Sequence, residues 1–133
     1  MDGRGKGVVD WPPLWLFYTK GVGMNFDEYQ VAAHRTSHGT LIGNDPLLYP
    51  AIGYAGEAGE LLNKIKKIYR DYGGELTEEM VAALKKEMGD SLWYLAEMAT
   101  ILGERLGDIA AENIAKLGDR AERGVIGGNG DYR

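Results

Sequence analysis

Cysteine is absent from this 133-residue chain, so neither a disulfide framework nor a thiolate metal site is possible. Histidine occurs only twice and proline four times. Basic residues are outnumbered, 15 against 20 acidic, for a net charge of −5. That balance argues against a general affinity for a nucleic-acid backbone. No apolar run approaches the roughly 20 residues needed to span a bilayer. No alternating strand pattern is found anywhere, and no glycine-rich phosphate loop follows a strand; Gly127-Gly-Asn-Gly130 has none before it. What remains is 44% hydrophobic and 26% charged, the composition of one soluble globular domain of ordinary size.

Residues 1–23 read as an N-terminal extension. The run Trp11-Pro-Pro-Leu-Trp-Leu-Phe-Tyr18 is apolar, but it is short and interrupted by proline. It makes neither a membrane span nor a good export signal, so the expected compartment is the cytoplasm, with no membrane partner. Met24 opens a domain covering 24–133, whose end, from Arg123 to Arg133, is too rich in glycine for regular structure.

From Asn25 onward the pattern is helical. The spacing predicts a first helix capped by Asn25, with Asp27 and Glu28 in its first turn, running to about His38 before Gly39. A second covers about Leu48 to Tyr72, with Asp45 as its cap and Pro46 in its first position. A third, capped by Thr77, runs to about Leu102, burying Val81, Leu84, Met88, Leu92, Leu95, Ala96 and Ala99. A fourth starts after Asp108 and runs from Ile109 to about Ala121. The fold class is therefore all-α, a four-helix bundle-like unit. Its central helices are antiparallel because the break at Tyr72–Leu76 is short.

Those central helices carry the chemistry. Glu57 and Glu60 on one, and Glu87 and Asp90 on the other, are each spaced i, i+3, so each pair points two carboxylates in one direction. Facing one another, four carboxylates would repel unless a cation sat among them, and hard oxygen ligands suit magnesium or manganese. Acids at this spacing are more often a solvated face. Here Asp90 runs directly into Leu92-Trp93-Tyr94-Leu95, and both pairs adjoin glycine. Gly53, Gly56 and Gly59 each cost up to about 1 kcal/mol inside a helix. Either close helix packing or room for a bulky ligand would account for them. A di-iron bundle needs Glu-x-x-His, whereas Asn63 and Trp93 follow Glu60 and Asp90. His34 and His38, four apart, would make a zinc pair, but Arg35 stands where the metalloprotease pattern has glutamate. Substrate contact or plain exposure suits these histidines better.

Residues 24–130 resemble the MazG-like branch of the all-α nucleoside triphosphate pyrophosphohydrolases. The resemblance rests on A-G-E-A-G-E-L around Glu57 and Glu60, on E-M-G-D-S-L-W-Y-L-A around Glu87 and Asp90, and on the later N-I-A-K-L and R-G-V-I-G-G. It implies that Glu57, Glu60, Glu87 and Asp90 hold magnesium (with manganese an alternative) and that a nucleoside triphosphate is the substrate. It further implies that Tyr94, Asn113 and Lys116 lie near the nucleotide, with Lys64 and Lys67 as phosphate contacts. Trp93 is a stacking or core residue, and His34 a substrate contact. The extra glutamate that the family often carries beside the first pair is missing, with Ala58 and Gly59 in its place. Glu60, with Glu57 beside it, is expected to act on the attacking water. The resemblance also points to homodimers or homotetramers with sites completed between subunits, and to a house-cleaning role in the nucleotide pool. The contrasting hypothesis is a catalytically silent helical module for self-association.

Overall fold

The structure, a computed structural model, describes residues 23–127; all of the N-terminal extension but Gly23, and the last six residues of the glycine-rich tail, lie outside the described residues. Four helices follow in order: α1 (Phe26–His34), α2 (Leu48–Tyr72), α3 (Glu78–Leu102) and α4 (Leu106–Glu122). Among the described residues there is no strand, only one isolated antiparallel bridge between Ile42 and Asp45.

The start of α1 is built as its sequence dictates. Glu28 N–H donates to Asn25 Oδ1 at 2.8 Å, and Asn25 N–H donates to Glu28 Oε2 at 3.1 Å. This reciprocal box satisfies two donors that a helix start leaves orphaned. The helix ends at His34, four residues short of the expected His38. The Thr36 hydroxyl donates to the Ala33 carbonyl at 2.7 Å, and the Thr36 and Ser37 amides bond three residues back, at 2.9 and 3.0 Å. Such local bonds compete with helix continuation. His34 and His38 therefore never share a helix face.

The loop before α2 also departs from expectation. Asp45 is not the helix cap: its Oδ1 accepts from Leu47 N–H at 2.8 Å, one step early. Leu47 is the cap residue and has no side-chain bond. Pro46 stays outside the helix, and it is Pro50 that occupies the first turn, where its missing N–H costs nothing. The helix stops at Gly73, whose φ of 62° is the left-handed conformation that ends helices. Thr77 then caps α3, its Oγ1 accepting from Met80 N–H at 3.2 Å. Across this short connection the two long helices run antiparallel, setting Gly53 against Tyr94 and Lys64 against Glu87.

The start of α4 is supplied by α1. Asp108, expected as its cap, lies inside the first turn, and the helix begins at Leu106, three residues before the expected Ile109. Its cap residue Arg105 makes no side-chain cap bond. Instead Leu106 N–H donates to Gln30 Oε1 at 2.7 Å, and Gly107 N–H to Asp27 Oδ1 at 3.1 Å. Gln30 Nε2 also donates to Thr100 Oγ1 at 3.0 Å and to the Glu104 carbonyl at 2.9 Å. One amide thus clamps the corner between α3 and α4. Gln30→Ala should lower unfolding free energy by about 1–3 kcal/mol in urea titrations, because it strips partly buried amides of their partner. Asp27 adds a pH dependence. Its ion pair with Arg105, then its bond to the Gly107 amide, holds its carboxyl below the ordinary value. That stabilisation is present at neutral pH and is lost as pH falls below the usual carboxylate range.

The core is small and lies between α1, α3 and α4. Ala33, Ala96, Ala99 and Leu106 are buried, with Tyr29, Leu92 and Trp93 packed against them. The small alanines let the helices approach closely. The expected α3 stripe is only half realised: Ala96 and Ala99 are buried, whereas Val81, Met88 and Leu95 are exposed. Tyr54, Leu62, Met88 and Leu95 line a shallow apolar groove of about 670 Å3 between α2 and α3.

Candidate metal centre

Of the four predicted carboxylates, three converge. One oxygen from each of Glu57, Glu87 and Asp90 lies within 4.8 Å of the others. The convergence follows from helix geometry: Glu87 and Asp90 stack one turn apart on α3, and antiparallel α2 sets Glu57 opposite them. Glu60, one turn further along α2, is exposed and stays outside this group. Its charge still reaches Glu57.

Electrostatics mark Glu57 as the strained member. Its carboxyl is pushed above the ordinary value, first by desolvation, then by the charges of Asp90, Glu60 and Glu87, and by a hydrogen bond with Glu87. A carboxyl raised by like charges favours a proton or a cation. Glu87, whose side chain is 12% exposed, has partial relief from Lys64, whose Nζ lies 3.3 Å from its Oε1. Lys64 therefore reaches the cluster directly. Lys67 does not line it; its charge acts on Asp71, one turn along α2.

Aromatic rings wall the centre. A cleft of about 320 Å3 is lined by Glu57, Asp90, Tyr94, Trp93, Tyr49, Thr36 and His38. Trp93 and Tyr94 meet edge-on, with centroids 5.0 Å apart and planes at 90°. The Trp93 indole donates to Thr36 Oγ1 at 2.8 Å, which fixes the ring. The Tyr94 hydroxyl is pushed up by desolvation first, then by Tyr49, Glu57 and Asp90. Tyr29 is raised in the same way, by burial and then by Asp90.

The glycines divide between the two expected explanations. A Cβ built on Gly53 would run into the Tyr94 ring, whereas one on Gly56 or Gly59 would meet nothing within 4 Å. Gly53 is thus a close-packing residue that lets Tyr94 lie against α2. Gly53→Ala should displace that ring; loss of the Tyr94 ring shifts in NMR spectra, with helical content unchanged, would register it.

Other predicted contacts fall elsewhere. His34 does not line the cleft, and its Nδ1 lies 3.0 Å from Glu97 Oε1. Asn113 and Lys116 are exposed on α4, which packs on α1 and α3, and neither lines the cleft. Sequence reasoning missed Tyr49, Thr36 and Glu97. Two of them carried a signal: Tyr49, Gly53 and Glu57 are spaced by four on α2, and Asp90, Tyr94 and Glu97 by four and three on α3, so each set shares a face.

A helical bundle with acids converging from two antiparallel helices is consistent with the all-α MazG-like fold. The sequence profile of the MazG nucleotide pyrophosphohydrolase domain matches residues 51–125, and the chain belongs to that family. It is 42% identical over 114 residues to the gene 37 protein of Mycobacterium phage L5, a match covering 83% of this chain and 100% of that protein. No solved structure matches the chain. No helix among the described residues is long and apolar enough to cross a membrane.

Proposed function

We propose that this protein hydrolyses (deoxy)nucleoside triphosphates to the monophosphate and pyrophosphate, using magnesium, with manganese an alternative. The observation that carries this reading is the convergence of Glu57, Glu87 and Asp90 from two helices. The donor set fits the ion: three hard carboxylate oxygens, one of them on a carboxyl raised first by desolvation and then by the charge of its neighbours. When bound, the cation neutralises phosphate charge and polarises the phosphoryl oxygens.

The chain's own residues do the rest. Glu57, Glu87 and Asp90 hold the ion and so orient the polyphosphate. Lys64 releases Glu87 to meet a phosphate oxygen, and Lys67 lies a turn further along as a long-range attraction. Glu60, left out of the tight group, has lone pairs free to accept a proton from the attacking water. The water oxygen bonds to phosphorus as the bridging P–O bond breaks, and the pyrophosphate leaves with the electron pair. Tyr94, Trp93 and Tyr49 exclude bulk water and offer faces to the nucleoside.

Assembly completes the site in this proposal. The apolar groove along α2 and α3 is exposed in one chain, and its burial against further copies fits a homodimer or homotetramer. Asn113 and Lys116, which do not line the cleft of their own chain, then serve the nucleotide of a neighbouring subunit. Mixing an inactive Asp90→Asn variant with an inactive Lys116→Ala variant should recover part of the activity if the sites are shared. A monomer in light scattering at micromolar concentration, or no recovery on mixing, counts against it. The cellular role proposed is sanitation of the nucleotide pool. The function itself is tested by pyrophosphate release from a triphosphate panel with and without magnesium.

A further inference from the structure

A second pocket adjoins the carboxylate cleft, and Tyr49 and Trp93 line both. It measures about 130 Å3, with walls that include Leu41, Pro46, Pro50 and Ile101. Ser37 and Thr40 also line it, but its buried polar residue is Glu97, 3% exposed, an acid whose burial is costly unless it has donors to accept from. His34 supplies one: Nδ1 lies 3.0 Å from Oε1 and 3.4 Å from Oε2. A carboxylate accepts from about four directions, so acceptor capacity remains beyond this pair.

The pocket is also in register with the metal centre. Glu87, Asp90, Tyr94 and Glu97 step by three, four and three along α3 and so form one stripe. At 1.5 Å per residue, Glu97 lies about 10 Å beyond Asp90 along the helix axis. A nucleotide with its phosphates at the acids would carry its base toward Glu97. The pocket's volume is comparable with the ~150 Å3 apolar cavity that admits a single benzene ring. It therefore suits one six-membered ring better than a fused pair. A carboxylate accepts a hydrogen bond from an exocyclic amine and repels a ring carbonyl placed at the same position.

Resting on the hydrolase reading above, we propose that the Glu97–His34 pocket seats the nucleobase, and that Glu97 selects a single-ring base bearing an exocyclic amine, cytosine over uracil or thymine and over the purines. His34 is then a positioning residue that fixes the Glu97 carboxylate.

The unaltered protein gives the first test, which needs no variant. kcat/KM for the cytosine triphosphates should exceed that for the uracil, thymine and purine triphosphates by about tenfold or more. In Glu97→Gln, whose amide can both donate and accept, the cytosine-to-uracil ratio should fall to within about threefold of unity. Cytidine monophosphate, titrated without metal, should shift the Trp93 indole resonance at lower concentration than uridine monophosphate does. Hydrolysis with no base preference overturns the pocket and leaves the hydrolase standing. A cytosine preference that survives Glu97→Gln overturns the role of Glu97. No hydrolysis of any triphosphate, but preferential cytidine monophosphate binding, supports the pocket and removes the hydrolase.

Discussion

Asp90→Asn and Glu87→Gln are each expected to reduce the proposed triphosphate hydrolysis by about a hundredfold or more, with helical circular dichroism matching that of the parent. This follows from where the two acids sit. Each contributes one of three oxygens lying within 4.8 Å of one another, and an amide cannot replace the charge that holds a divalent ion. Losing several kcal/mol of transition-state charge stabilisation corresponds to two or more factors of ten in rate. The fold does not depend on these groups: the buried core lies at Ala33, Ala96, Ala99 and Leu106. Glu60→Gln should behave differently. Exposed and outside the tight group, it should lose turnover while keeping its response to magnesium. Near-parental turnover in both Asp90→Asn and Glu87→Gln would contradict the metal centre.

Magnesium is expected to raise the melting temperature of the parent by roughly 5–10 °C at about a hundred times its dissociation constant, because only the folded chain brings the three acids together. The metal-free protein sets the sign of the companion effect. The Glu57 carboxyl is raised on folding by desolvation and then by its acidic neighbours. Its contribution is therefore most favourable below the ordinary carboxylate value and is lost as pH rises through its raised value. At neutral pH the ionised group opposes folding. Glu57→Gln should thus match or exceed the metal-free parent in melting temperature at pH 7 and lose that advantage as pH falls toward the ordinary carboxylate value. It should also gain much less from magnesium. Equal magnesium shifts in parent and variant, at matched ionic strength, would mean that the acids act as a solvated face.

What the sequence disclosed and what it hid differ by physical range. The helix starts at Asn25 and Thr77 were legible because caps are local: the side chain and the amides it satisfies lie within three residues. The spacing within Glu87 and Asp90 was legible because helical stacking is local too. The start of α4 was not, because its capping groups, Gln30 and Asp27, come from α1, more than 70 residues away in the chain. The end of α1 failed for the opposite reason: Thr36 turns the chain with a hydroxyl bond that the apolar periodicity does not register. Glu60 read like Glu57, since the i, i+3 rule gives direction only relative to its own helix. Which of the two meets α3 depends on the register of α2, set in part by Tyr94 lying against Gly53. Three of the seven expected α3 stripe residues are exposed, a pattern that apolar spacing alone cannot separate from burial in an assembly.

The reaction itself is tested most directly by its products. The protein is incubated with magnesium and a mixture of nucleoside and deoxynucleoside triphosphates, and the phosphorus-containing products are resolved by 31P NMR, with a chelator-treated sample and Asp90→Asn alongside. The expected result is monophosphate and pyrophosphate in equal amounts, formed by the parent only when the cation is present. Diphosphate with orthophosphate, turnover that survives the chelator, or no turnover of any triphosphate would contradict it.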